Sequence, residues 1–119
     1  MLCEDDDNLR ALAREILESQ GYTVLEGLDP EDTLRIAAQH GGTIHLLLTD
    51  VVMPHMNGRA LADAVKGVRP QISMLYMSGY ADDAIVRHGV FDSTMAFLQK
   101  PFTPTELARR VREVLDQAQ

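Results

Sequence analysis

Ile44-His45-Leu46-Leu47-Leu48-Thr49-Asp50-Val51-Val52-Met53-Pro54-His55-Met56-Asn57-Gly58 is an apolar run, broken only by His45, that ends on a carboxylate and then meets turn residues. The run predicts a strand, because Pro54, Asn57 and Gly58 cannot continue a ladder and so place Asp50 at its tip. A strand that stops on a carboxylate and then turns sharply offers a chemical group. A plain turn former or helix cap would look the same from this stretch alone.

Two further segments bear on that choice. Glu4-Asp5-Asp6-Asp7 follows the short apolar start Met1-Leu2-Cys3 and precedes a strongly helical stretch. Asp6 and Asp7 are accounted for by the helix entrance, where free N–H groups and the helix dipole favour negative charge. Glu4 and Asp5 fall at the tip of the first strand. Beside Asp50, their carboxylates would repel by about 4 kcal/mol per pair at roughly 4 Å and an effective dielectric of ~20. Such a cluster calls for a cation. The second segment, Phe97-Leu98-Gln99-Lys100-Pro101-Phe102, ends an apolar strand on a lysine, and Ser78-Gly79 closes another strand. Four strand ends then carry a carboxylate pair, a carboxylate, a hydroxyl and an ammonium, a set suited to phosphoryl transfer.

In this order and over essentially the whole chain, these motifs resemble the response-regulator receiver domain of bacterial two-component signalling, a chemotaxis-regulator-like fold. The resemblance implies that Asp50 accepts a phosphoryl group from a kinase phosphohistidine. It implies direct ligation of Mg²⁺ (or Mn²⁺) by Asp5, Asp50 and the Val52 backbone carbonyl, with Glu4 acting through water. Lys100 and Ser78 then face the phosphoryl oxygens. Phe97 matches an aromatic position that reorients on activation, so Ser78 and Phe97 form the implied switch. Its readout is a changed surface on the predicted helix at 81–88, the last strand and the last helix. The partners implied are a histidine kinase or phosphotransfer protein and an output domain or protein on that surface.

Glu4 stands where Asp is frequent in the family and Ser78 where Thr is frequent, and both keep the required chemistry. Phe97 lacks the hydroxyl found there in many members. The stretch Leu75-Tyr76-Met77-Ser78-Gly79-Tyr80, taken with 97–102, is similar to receivers fused to hybrid sensor histidine kinases. Only three residues precede the acidic pair, fewer than the usual five or so of a strand, which points to a segment excised from a longer protein. The resemblance further implies a cis Lys100-Pro101 bond. An apolar rim of Val52 and Tyr80 predicts slow hydrolysis of an aspartyl phosphate.

With 119 residues, the chain (1–119) reads as one domain. A net charge of −7, with six acids against two arginines in the first twenty residues, argues against direct binding of nucleic acid. Cys3 has no second cysteine to pair with and reads as a buried thiol in a reducing, cytoplasmic setting. There is no apolar stretch of the roughly 18 residues that a membrane-crossing helix needs and no signal-peptide pattern. His40, His45, His55 and His88 show no pair at ligand spacing.

Five strand-like and five helix-like segments alternate, predicting an α/β fold with a parallel sheet and helices on both faces. Leu9, Leu12, Ala13, Ile16 and Leu17 mark the apolar stripe of a first helix ended by Gly21. A strand at 22–26 precedes a second helix capped by Asp29-Pro30. Leu61, Ala64, Val65 and Val68 mark the third helix, and a strand at 72–77 follows. A weak helix at 81–88 and a strand at 95–98 come next. Thr103-Pro104-Thr105-Glu106 is a capping box for the last helix, whose buried face is Leu107, Val111, Val114 and Leu115.

The resemblance supplies the strand order 2-1-3-4-5 of the doubly wound, flavodoxin-like sheet. That order sets the first and third strands side by side, where ligands bind beyond the carboxyl ends. The rival from another class is a metal-dependent phosphatase working through an aspartyl phosphate. It would carry its nucleophile on the first strand with a second Asp two residues on, and Glu4-Asp5-Asp6 shows no clear general-acid arrangement. A flavin carrier would need a phosphate cradle where four acids stand.

Overall fold

A computed structural model describes residues 1–51, 58–78 and 96–117. Five strands, β1 (Leu2–Cys3), β2 (Glu26–Gly27), β3 (Leu46–Asp50), β4 (Ser73–Ser78) and β5 (Phe97–Gln99), form one sheet in the order β2-β1-β3-β4-β5. Every pairing is parallel. Four helices are described: α1 (Asp7–Ser19), α2 (Pro30–Gln39), α3 (Gly58–Val68) and α4 (Pro104–Gln117). The helix expected at 81–88 lies outside the described residues.

Local chemistry starts each helix. Asp6 caps α1 by accepting from the N–H groups of Asn8 (2.9 Å) and Leu9 (3.0 Å). Asp29 caps α2 by accepting from Asp32 N–H at 2.8 Å, with Pro30 in the first turn. Thr103 Oγ1 accepts from Glu106 N–H at 3.1 Å, and the Glu106 carboxylate returns to that hydroxyl at 3.1 Å. Beyond α1, Gly21 takes φ +90°, a left-handed conformation that glycine adopts without a Cβ penalty.

The alternation of side chains along the strands sorts the core into two layers. Leu2, Leu46, Leu48, Leu75 and Met77 pack on one face against Ala13, Ile16 and Leu17 of α1 and Leu107, Val111 and Val114 of α4. Cys3, Leu47 and Ile72 pack on the other, with Ala37 of α2 and Leu61 and Val65 of α3. Both faces of β3 are therefore covered, and all five of its residues are buried. Cys3 of β1 is buried as well, and burial pushes its thiol up to about 11.

Several expected boundaries and faces differ. The second strand pairs at Glu26–Gly27, because its ladder partners are the two residues of β1, Leu2 and Cys3. β4 begins and ends one residue later than expected, and β5 runs through Gln99. Leu12 is 44% exposed. At about 100° per residue it lies about 90° from the mean direction of Ala13, Ile16 and Leu17, beside the stripe rather than in it. In α3, Ala62 is buried where Ala64 was expected, and Val68, the last helical residue, is exposed. Leu115 is half-buried at the margin of its cluster.

Candidate functional site

A parallel sheet brings all its carboxyl ends to one edge, and β1 lies directly beside β3 with Cys3 opposite Thr49. The residues that follow, Glu4 and Asp5, therefore meet Asp50. Carboxylate oxygens of Glu4, Asp5 and Asp50 all lie within 4.8 Å of one another. Glu4 and Asp50 are 1% and 2% exposed, whereas Asp5 faces solvent. From the end of β5, Lys100 reaches across: its Nζ forms an ion pair with Asp50 Oδ1 and stands 3.3 Å from Glu4 Oε2. The Lys100-Pro101 bond is cis, as expected.

Glu4 is held from three sides. Its Oε1 accepts from Asp6 N–H at 3.0 Å, its Oε2 meets Lys100, and its backbone carbonyl accepts from Arg10 Nη1 at 2.9 Å. Arg10 also pairs with Asp7 at 2.5 Å, so the two acids after Asp5 serve the entrance of α1. Asp50 is less well matched. Among the described residues its buried Oδ1 has no well-formed hydrogen bond, and the Lys100 ammonium forms an ion pair with it.

The proton affinities follow from this geometry. Burial and the Glu4 carboxylate push Asp50 from the ordinary 3.8 up to about 8, against the pull of Lys100. Burial also acts upward on Glu4, but hydrogen bonds from Asp50 and the Asp6 N–H, together with Lys100, outweigh it and hold Glu4 below the usual carboxylate range. Lys100 is raised, because Asp50 and Glu4 outweigh its own desolvation. One proton shared by two buried carboxylates describes the pair better than separate titrations do.

Three carboxylates facing one ammonium leave an excess of negative charge made wholly of hard oxygen donors. That set fits a divalent cation of the Mg²⁺ or Ca²⁺ kind and not a soft metal. The buried Asp50 Oδ1, which has no hydrogen-bond donor among the described residues, is the oxygen that such an ion would satisfy.

Ser78 ends β4 one residue past Met77, which is the register partner of Asp50. It is half-buried, and its carbonyl accepts from Lys100 N–H at 2.8 Å. Phe97 is half-buried, opposite Tyr76 in the β4–β5 ladder. Their ring centroids are 5.6 Å apart and the planes tilt by 36°. Arg110 Nε donates to the Phe97 carbonyl at 3.1 Å, tying β5 to α4. Val52, whose carbonyl was expected to ligate the metal, and Tyr80 lie outside the described residues.

Sequence reasoning missed two residues that shape the site. Arg10 carries no local sign of its bond to the Glu4 carbonyl, since that contact depends on how α1 packs back on β1. Gly58 reads as a turn residue, yet its amide donates to Val51 O at 2.7 Å and a Cβ on it would stand 2.1 Å from the Asp50 carbonyl oxygen.

Residues 1–112 match the family described as "Response regulator receiver domain". The chain is 38% identical over 116 residues to the sensor kinase CckA of Brucella abortus (strain 2308), covering 98% of this chain and 12% of that protein. It is 34% identical over 119 residues to the transcriptional regulatory protein CpxR of Escherichia coli (strain K12), covering 97% and 48%. The crystal structure of the receiver domain from the hybrid histidine kinase CckA superposes with a TM-score of 0.79 at 32% identity, covering 96% of this chain and 95% of that one. The chain thus spans half or less of the full-length relatives it matches. With the sheet order, the acidic cluster and the opposing lysine in place, the chain belongs to the response regulator receiver domain family, the phosphoacceptor domains of two-component signalling.

Proposed function

We propose that Asp50 is the phosphoacceptor of this domain and that the group comes from a phosphohistidine on a kinase or phosphotransfer protein. The observation that carries the reading is the meeting of Glu4, Asp5 and Asp50 within 4.8 Å, with Lys100 paired to Asp50. In the step, one Asp50 carboxylate oxygen attacks phosphorus, the new P–O bond forms as the P–N bond breaks, and the imidazole leaves with the electron pair. The imidazole then takes its proton from solvent. Positioning and charge neutralisation supply most of the catalysis in such a transfer.

Asp5 and Asp50 hold Mg²⁺ (or Mn²⁺), with the Val52 carbonyl as a further ligand outside the described residues. Glu4 acts one step removed, since its oxygens already serve Asp6 N–H and Lys100. When bound, the ion neutralises charge on the acceptor and on the phosphoryl oxygens. Lys100 supplies a compact positive charge at Asp50, and Ser78, beside Asp50 by strand register, donates to a phosphoryl oxygen. A hydroxyl drawn toward phosphate vacates space beside Phe97, whose ring shifts from its half-buried place against Tyr76. The domain is thus a switch that assists its own phosphorylation, not an enzyme with a separate substrate. A phosphatase using an aspartyl nucleophile is not favoured by the family match.

The likeness to a sensor kinase supports a place in a hybrid-kinase phosphorelay in the cytoplasm, with an output partner on the β5 and α4 face. No described helix is long and apolar enough to cross a membrane. The test is incubation with beryllofluoride and Mg²⁺, followed by backbone NMR on the wild type and on Asp50→Asn. Shifts that reach β5 and α4 in the wild type and vanish in the variant support the reading. Equal shifts in both would end it.

A further inference from the structure

Val51, the residue directly after Asp50, is gripped from two sides. On the sheet side, Val51 N–H donates to Met77 O at 3.0 Å. On the helix side, Val51 O accepts from Gly58 N–H at 2.7 Å, and Gly58 is buried at the first position of α3. A Cβ added at Gly58 would stand 2.1 Å from Asp50 O, 3.0 Å from Asp50 C and 3.2 Å from Val51 Cα. Those atoms are backbone, so no side-chain rotation relieves the overlap. Either α3 or the end of β3 must move.

We propose that Gly58 is a positioning residue for Asp50: its bare Cα lets the first turn of α3 seat on the Asp50 carbonyl and fixes the point from which the carboxylate projects. This rests on the reading of Asp50 as acceptor. A displacement of about 1 Å at a reacting group can cost 10²-fold in rate. Gly58→Ala is therefore expected to slow phosphoryl uptake by about 10- to 100-fold and to weaken Mg²⁺ binding by about tenfold.

The control is Gly27→Ala. Its Cβ would stand 1.9 Å from Thr33 Oγ1 and 2.8 Å from Thr33 Cα, an overlap of similar severity at the end of β2. It strains the fold without touching Asp50. Both variants and the wild type are compared, at a temperature where each is folded, for Mg²⁺ affinity by NMR titration and for uptake from a small acyl phosphate. The inference holds if Gly58→Ala loses both and Gly27→Ala stays within about threefold of wild type. It is overturned if Gly58→Ala also stays within threefold, or if the two variants fall together. Should Gly58→Ala not fold, amide exchange in the metal-free wild type decides. Gly58 N–H exchanging as slowly as Leu48 N–H supports the grip, and exchange at the rate of an open loop refutes it. A wild type that takes no phosphoryl group ends the acceptor reading, while the Mg²⁺ and exchange measurements still judge Gly58.

Discussion

Lys100 Nζ, from the end of β5, is paired with Asp50 Oδ1 at the end of β3 and lies 3.3 Å from Glu4 Oε2 at the end of β1. The lysine is 27% exposed and both carboxylates are nearly fully buried, so much of its charge acts in a low-dielectric setting.

Lys100→Met should destabilise the metal-free domain at pH 8 by about 1–3 kcal/mol, less than the 3–5 of a fully buried broken pair, because Asp50 can take up a proton instead. Urea unfolding measures this. Uptake from an acyl phosphate should fall by about 10²-fold, the scale of losing one preorganised charge at a transition state. Unchanged stability and rate would show that the pairing carries little.

The metal-free domain should lose stability as pH rises from about 5 to 8. Asp50 has a folded pKa raised from 3.8 to about 8, so in this window the folded state binds a proton that the unfolded state has lost. The contribution is present at low pH and disappears as Asp50 ionises, with a slope of a few tenths to about 1 kcal/mol per pH unit. Glu4, held low, acts oppositely and only nearer its ordinary 4.5. Saturating Mg²⁺, or Asp50→Asn, should flatten the slope in thermal melts across pH; a slope that persists in Asp50→Asn assigns the effect elsewhere.

Arg69→Ala offers a contrast far from the acidic cluster. Arg69 donates from Nε to Ala37 O (2.9 Å) and from Nη1 to Gly42 O (2.8 Å), and Nη2 reaches His40 O, closing the end of α2. Removing it leaves three carbonyls to water and should cost about 2–3 kcal/mol in urea unfolding. Mg²⁺ affinity should stay within about twofold, since both backbone hydrogen bonds of Val51 beside Asp50 remain.

On the sequence reading that sets Val52 and Tyr80 at the rim of the site, an aspartyl phosphate on Asp50 should hydrolyse slowly, since apolar or bulky side chains there would hinder an attacking water. Val52→Asn with Tyr80→Glu should shorten its lifetime. An unchanged dephosphorylation rate in the double variant removes the rim as the cause.

What the chain settles locally, it settles early. The caps at Asp6, Asp29 and Thr103 each act within three residues, and the apolar run into Asp50 declares a covered strand, so the helix starts and β3 can be read directly. The candidate acids, hydroxyl and lysine are also legible, because their types at strand ends already limit the chemistry. Only the tertiary structure decided the rest. Lys100 and Glu4 are 96 residues apart, and their contact exists because β1, β3 and β5 end on one edge of the sheet. The high proton affinity of Asp50, the seat that Gly58 provides and the exposure of Leu12 likewise depend on what packs against each residue. Burial and charge coupling are properties of neighbours in space, and periodicity along the chain records only neighbours in sequence.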